Sequence, residues 1–297
     1  MSICAGITLF NPEIERLKRN IDSILPQVEF LYFVDNNSGN LEEIKELLSG
    51  YANIELIENS QNFGIAKALN QICEKAKENG FRWALLLDQD SIAEEELIKK
   101  YSRYTEMEKV AIITPYFDDE NEPDIVKSRL ESPYELVDRC NTSASLVNID
   151  IWGAVGGFDE AMFIDCVDFD YCTTVQENGY VILRDNEAVL YHRLGQAQEI
   201  RFFMPIGRFF NIKKLKKPLY TYNHNPSRTY YYARNIKYYG FKHKESINRF
   251  TEWRVYVKWI VLKLCFEKQK YEKLKAIIKG RKDAAEMIKK YKNENCK

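Results

Sequence analysis

Short apolar runs and helical apolar patterns take turns along the first part of the chain. The runs Ile3–Phe10, Phe30–Asp35, Ile54–Glu58, Trp83–Asp88 and Val110–Thr114 have the length and continuous apolar character of strands buried on both faces. Between them, Glu13–Leu25, Leu41–Leu48, Ile65–Asn79 and Glu94–Thr105 repeat apolar residues at helical spacing. Alternation of this kind, with short connections, predicts βαβ units and an α/β fold around a mostly parallel central sheet.

The pattern then loosens. Asp118–Ser132 is rich in charge and proline and reads as an irregular surface crossing. A strand at Ser143–Val147, a short helix at Ile149–Val155 and a Gly156-Gly157 turn follow, then a helix near Asp168–Asn178 and strands at Val181–Leu183 and Val189–His192. Beyond Gly195 the chain turns into basic, aromatic-rich helical segments in which no strand is expected. These changes place a boundary near residue 200, between a catalytic-type region 1–200 and a helical region 201–297.

Charge sharpens that division. The net charge of the whole chain is −1, yet residues 1–200 carry 17 Lys/Arg against 37 Asp/Glu, while residues 201–297 carry 26 against 7. A balance of +19 in the second segment points to an anionic surface as its partner. No nucleic-acid module is recognisable. Aromatic residues accompany the cations, as in Phe202-Phe203-Met204, Phe209-Phe210 and Trp253–Phe266, so the cytoplasmic leaflet of a membrane is the expected surface. A pair of lysine-solvated helices packed on the catalytic region is the alternative. The opening strand has no basic lead-in and no apolar stretch reaches the ~20 residues of a spanning helix. Seven cysteines are scattered without a C-x-x-C pair, which suits reduced thiols better than a disulfide framework. A cytoplasmic, peripherally attached protein is therefore expected.

The chemistry concentrates at strand ends, where open α/β sheets bind their ligands. Leu85-Leu86-Leu87 stops abruptly at Asp88-Gln89-Asp90. Two carboxylates so close repel unless a cation joins them, and a hard divalent ion carrying a diphosphate would do so. A helix N-cap after the strand is the competing explanation. Thr8-Leu9-Phe10-Asn11 closes the first strand. Asp35-Asn36-Asn37-Ser38 closes the second; Asp35 could accept from a base or ribose, or could simply shape a turn. Asn62-Phe63-Gly64 opens the helix that contains Asn70, and free N–H groups there would suit diphosphate oxygens. Phe163-Ile164-Asp165-Cys166-Val167-Asp168-Phe169-Asp170-Tyr171 holds three carboxylates in six residues. Asp165 and Asp168 would share one face of a helical turn, so one of them is a candidate tuned base. His192 stands at a strand end after this helix.

In order, Thr8 to Asn11, Asp35 to Ser38, Asn62-x-Gly64 with Asn70, Asp88-Gln89-Asp90, Gly156-Gly157-Phe158-Asp159-Glu160, Phe163 to Tyr171 and His192-x-x-Gly195 resemble glycosyltransferase family 2. The resemblance covers roughly residues 1–240. Phe163–Asp168 and Pro226–Asn235 look most like its rhamnosyltransferase branch. It implies a GT-A fold and an inverting transfer from a nucleotide-sugar donor, dTDP-rhamnose first among the candidates, to a hydroxyl of a lipid-linked or polysaccharide acceptor. By similarity Thr8, Asn11, Asp35, Asn62, Gly64, Asn70, Asp88 and Asp165 line the donor pocket, Asp90 and His192 hold Mg²⁺ or Mn²⁺, and Asp168 is the catalytic base. Two stretches depart from the family. Asn141-Thr142-Ser143-Ala144-Ser145 replaces a common Ser-Gly pair, and Cys172-Thr173-Thr174 stands where relatives often carry Leu-Arg. A nucleotidyltransferase is disfavoured because no Gly-rich, basic triphosphate loop opens the chain. A non-catalytic assembly subunit and a homo-oligomer are left open by the sequence.

Overall fold

The computed structural model describes residues 2–119, 132–192, 198–213 and 216–295. The chain divides into two units, Met1–Arg193 and Leu194–Lys297.

In the first unit β1 (Ile3–Leu9) is buried at every position and lies between β2 (Phe30–Asp35) and β4 (Trp83–Asp88), parallel to both. β3 (Ile54–Glu58) extends this parallel block. On the other side come β7 (Ser145–Asn148), β5 (Val110–Asp119), β8 (Val181–His192) and β6 (Tyr134–Leu136), giving the order β3-β2-β1-β4-β7-β5-β8-β6. The central strands are apolar throughout because helices cover both faces. On one face Ile7, Leu9, Phe33, Leu85 and Leu87 pack with Leu17 and Ile21 of α1 (Ile14–Ile24). Against the other lies α3 (Ile65–Glu78), with Ala68, Ile72 and Cys73 buried. The remaining helices are α2 (Leu41–Leu48), α4 (Leu97–Tyr101), α5 (Ile149–Val155) and α6 (Val167–Glu177). The α/β sheet expected from the pattern is present, with β7 and β6 the antiparallel members.

Several elements differ from the sequence expectation: β6 was not expected, and β5 runs to Asp119 where a strand ending at Thr114 was expected. The helix expected at Glu94–Thr105 shrinks to α4. Glu94 spends its carboxylate on the Val189 N–H (2.7 Å) and Lys100 (2.8 Å), and Glu96 is left-handed at φ 63°. The two strands expected between 181 and 192 are one. Its charged middle, Asp185-Asn186-Glu187, forms an irregularity in the pairing with β5, where Asp185 carboxylate accepts from Glu187 N–H at 2.9 Å. Finally, the second unit does contain strand: β9 (Gln198–Ile200) pairs antiparallel with β10 (Leu219–Thr221). Three residues are too few for a period-2 pattern to show.

The rest of the second unit is helical: α7 (Met204–Phe209), α8 (Pro226–Lys242), α9 (Arg249–Phe266) and α10 (Lys270–Asn295). Asn225 and Asn248 cap α8 and α9 by accepting from the N–H of Arg228 (2.8 Å) and Thr251 (3.1 Å). Glu267 is buried and takes Lys263 and Lys273 on its two oxygens, each at 2.6 Å, while Thr221 donates to it as well. Against the upward pull of burial, these three partners hold its carboxyl below the usual range. This knot ties β10, α9 and α10 together. Among the described residues, no helix is long and apolar enough to cross a membrane.

Candidate active site

The parallel register brings the polar ends of three strands to one edge of the sheet. Leu9 pairs with Asp35, and Thr8 with Asp88. The turn after β2 is locked to the end of β1: Asn11 N–H donates to Ser38 Oγ (2.8 Å) and Gly39 N–H to Asn11 Oδ1 (2.7 Å). Asp35 is fully buried. Its Oδ2 accepts from Ser38 N–H at 2.9 Å, while Oδ1 has no hydrogen-bond partner among the described residues. A buried acceptor left this way costs about 1–3 kcal/mol. A ligand N–H or O–H reaching it would recover that cost.

After β4 the chain makes a turn, and no helix starts before Leu97. Neither Asp88 nor Asp90 is therefore a helix cap. The turn is pinned by its backbone instead. Asn20 donates to Asp88 carbonyl and Arg16 Nε to Asp90 carbonyl, both at 2.8 Å, and Phe10 N–H donates to Gln89 Oε1 at 2.8 Å. This leaves the Asp90 side chain exposed on a cavity of about 390 Å³, lined also by Asn11, Glu13, Arg16 and Gln89. Glu13 and Arg16 were not singled out from the sequence; their one signal is position, since α1 follows β1 directly and starts at the same sheet edge. Gln89 lies inside the Asp88-Gln89-Asp90 run itself.

The acidic segment comes within electrostatic reach of the end of β4. Asp165 and Cys166 are both left-handed, at φ 65° and 64°. For residues with side chains such a backbone costs on the order of 1–3 kcal/mol each and is characteristic of functional segments. Asp165 thus precedes α6 rather than sharing a helical face with Asp168, which corrects the sequence expectation. The two carboxylates nevertheless interact. The Asp168 pKa is pushed up to about 6, by burial first and then by the negative charges of Asp165 and Asp88, against the Phe169 N–H that donates to Asp168 Oδ1 at 2.9 Å. Carboxylates far apart in sequence, Asp88, Asp165 and Asp168, therefore share one field.

Other candidates serve the scaffold. Gly64 is left-handed at φ 89°, and a Cβ there would come 2.4 Å from the Phe163 carbonyl oxygen. That same oxygen accepts from Ile65 N–H at 2.8 Å. Gly64 thus admits the backbone of the acidic segment, and one N–H expected to meet a ligand is already used. Asn62 Oδ1 accepts from Gly64 N–H at 2.9 Å and shapes this turn. Asn70 was expected along the donor pocket, but its amide is spent inside the protein. It donates to Phe158 carbonyl (2.9 Å) and Glu160 (3.0 Å) and accepts from Trp152 Nε1 (3.2 Å) and Phe158 N–H (2.9 Å). Asn70 buckles the Gly156–Glu160 turn onto α3. The backbone of His192 ends β8 opposite Asp119; its side chain lies outside the described residues.

Among the described residues, no three His, Cys, Asp or Glu side chains group as a ready metal site. The donors present are carboxylate oxygens, Asp88 and Asp90. Such hard ligands suit Mg²⁺ or Mn²⁺, ions that take one or two carboxylates and complete their shell with substrate phosphates and water. The residues fit that group.

A sheet of this order, with helices on both faces, belongs to the GT-A class of glycosyltransferase folds. The structure is similar to Staphylococcus aureus TarS 1-349 in complex with UDP-GlcNAc, with TM-score 0.60 and 13% identity over 97% of this chain and 82% of that one. It is similar also to the mannosyltransferase PcManGT from Pyrobaculum calidifontis in complex with GDP-Man and Mn²⁺, with TM-score 0.59 and 11% identity over 99% and 80%. At such identities the likeness is one of fold. In sequence, the profile of glycosyl transferase family 2 matches residues 4–160, and the chain belongs to that family, as its motifs suggested. The dTDP-rhamnosyl transferase RfbF of Shigella flexneri is 27% identical over 232 residues, 71% of this chain and 78% of that protein.

Proposed function

We propose that the protein is an inverting, metal-dependent glycosyltransferase. It moves a sugar, L-rhamnose from dTDP-rhamnose first among the candidates, to a hydroxyl of a polysaccharide precursor or lipid-linked glycan. The observation that carries this reading is the convergence of Asp88 and Asp165 on Asp168, a carboxyl whose pKa of about 6 suits a general base near neutral pH. Family membership and the relative named a dTDP-rhamnosyl transferase support the donor choice.

Asp168 accepts the proton of the acceptor hydroxyl. The oxygen forms its bond to the anomeric carbon as the bond to the nucleotide diphosphate breaks, and the configuration inverts. Asp35, through its unpartnered oxygen, and Asn11 hold the nucleotide end; Thr8 and Asp165 face the donor. Asp90 and His192 would hold Mg²⁺ or Mn²⁺, with Asp88 nearer the ribose; the ion would supply charge neutralisation for the departing diphosphate. Arg16 keeps the Asp90 turn in place. The catalytic region is residues 1–200. The basic region 201–297 attaches the protein to the anionic cytoplasmic face of the membrane, where a lipid-linked acceptor lies.

A panel of nucleotide sugars tests the reading, scored for released nucleoside diphosphate with and without acceptor glycan. Metal-dependent release from dTDP-rhamnose above the other donors supports it. Release from a different sugar nucleotide replaces the donor, and no turnover or metal-dependent nucleotide binding with any donor favours a non-catalytic assembly subunit.

A further inference from the structure

Helices α8, α9 and α10 enclose a groove of about 500 Å³ in the second unit. Ile236, Phe241, Trp253 and Ile288 give it apolar walls, and Lys237, Lys244, Arg249 and Arg281 stand at its rim against the single carboxylate of Glu252. Lys237 donates to the Arg281 carbonyl at 2.7 Å, and the Arg281 guanidinium lies over the Tyr256 ring at 5.2 Å. Among the described residues, Lys237, Arg249 and Arg281 form no ion pair with a carboxylate. An apolar slot with these three cations at its rim is complementary to an anionic amphiphile, whereas phosphate alone would leave the walls unfilled.

Two further features agree. Gly240 lies within α8, where glycine weakens a helix, and a Cβ placed there would meet nothing within 4 Å. Packing does not require it, in contrast with Gly280, whose Cβ would strike the Tyr230 carbonyl at 2.5 Å. What Gly240 does is keep the groove open. The outer side of α9, moreover, is apolar: Phe250, Trp253, Val257 and Val261 are exposed at helical spacing with Arg254 and Lys258 alongside, while Lys263 is buried. Exposed aromatic and cationic groups side by side suit the headgroup region of an anionic membrane. The +19 balance of residues 201–297 opposes pairing of this unit with the same unit of a second copy.

We infer that the helical unit seats a single anionic phospholipid in this groove, with the phosphate at Lys237, Arg249 and Arg281 and an acyl chain along the apolar walls. The inference rests on the membrane reading above and names its partner. The test uses the full-length protein and its Gly240→Leu variant, whose added side chain fills the groove and leaves the melting temperature unchanged or higher. Binding is measured by sedimentation with phosphatidylglycerol or phosphatidylcholine vesicles and by Trp fluorescence with monomeric dihexanoyl-phosphatidylglycerol. The expected result is binding of both phosphatidylglycerol forms, weakened about tenfold or more by Gly240→Leu because several methylene contacts are excluded. Equal binding by the two proteins overturns the groove while the membrane reading stands. Monomeric lipid binding lost in Gly240→Leu, without vesicle binding by either protein, supports the groove and removes the membrane reading. Failure to bind either lipid form removes both. Inorganic phosphate binding as tightly as the lipid, or a concentration-dependent dimer broken by Gly240→Leu, overturns the lipid in favour of a simple anion site or a second copy.

Discussion

Replacing Asp168 by Asn separates chemistry from folding, because the two respond in opposite directions. The amide oxygen can keep the 2.9 Å hydrogen bond from Phe169 N–H, so the local backbone is retained. What disappears is a proton acceptor and a negative charge held beside Asp165 and Asp88. Loss of a general base costs a factor of about 10²–10⁴ in turnover. Removal of the charge works the other way. The folded-state pKa of about 6 lies above the ordinary 3.8, so keeping this carboxyl ionised opposes folding. That cost is absent below pH 3.8, builds as pH rises through the interval to 6, and is complete above it. At about 1.4 kcal/mol per pH unit its ceiling is ~3 kcal/mol, and solvent reaching the partly exposed side chain reduces it. Asp168→Asn should therefore be at least as stable as the parent at pH 8, with the difference vanishing near pH 4. The assay pairs initial rates with thermal melting across that range. In the parent, kcat/KM should fall toward acid pH as Asp168 takes up its proton; in the variant the residual rate should lose that limb. Turnover within a few-fold of the parent, or a fall in stability as large as the fall in rate, would refute the base assignment.

Further outcomes follow from the scaffold and the metal ligands. Asn70→Ala leaves Trp152 Nε1 and Phe158 N–H without their acceptor, at about 1–3 kcal/mol for each buried group. Its melting temperature should drop while nucleotide affinity of the folded protein is kept; lost affinity at unchanged stability would return Asn70 to the donor pocket. Glu267→Gln strips the counter-charge from two buried ammonium groups and should cost about 3–5 kcal/mol in denaturant titration. Because the Glu267 pKa is lowered from 4.5, its stabilisation is fully present above that pH and is lost as acid takes the pH through the lower folded value. An unfolding midpoint identical to the parent in both conditions would mean the knot contributes nothing. Excess EDTA should abolish transfer, with recovery on adding Mn²⁺ or Mg²⁺ and no recovery in Asp90→Ala; undiminished turnover in EDTA would remove the metal.

The sequence by itself determined the succession of strands and helices up to β5, the family, and the strand end that carries Asp88-Gln89-Asp90. Such features are local: apolar runs, helical spacing and turn chemistry are written in contiguous residues. Where a side chain was needed elsewhere, local reading failed. Glu94 shortened α4 because its carboxylate serves β8, and β9 and β10 were too short to leave a pattern. Only the tertiary structure decided which polar residues keep an unused hydrogen-bonding group and which are spent inside the protein. Asn70 and Gly64 carry the signature of a donor pocket, yet one is saturated by the 158–160 turn and the other makes room for Phe163. Glu13 and Arg16 line the cavity although nothing in their own neighbourhood marks them. Lysines in a basic tail look solvated until Glu267 gathers Lys263 and Lys273 into the interior. The physical reason is common to all of these. A polar group's role depends on which partner, tens of residues away, completes its hydrogen bonds and its charge, and that is settled only when the chain closes on itself.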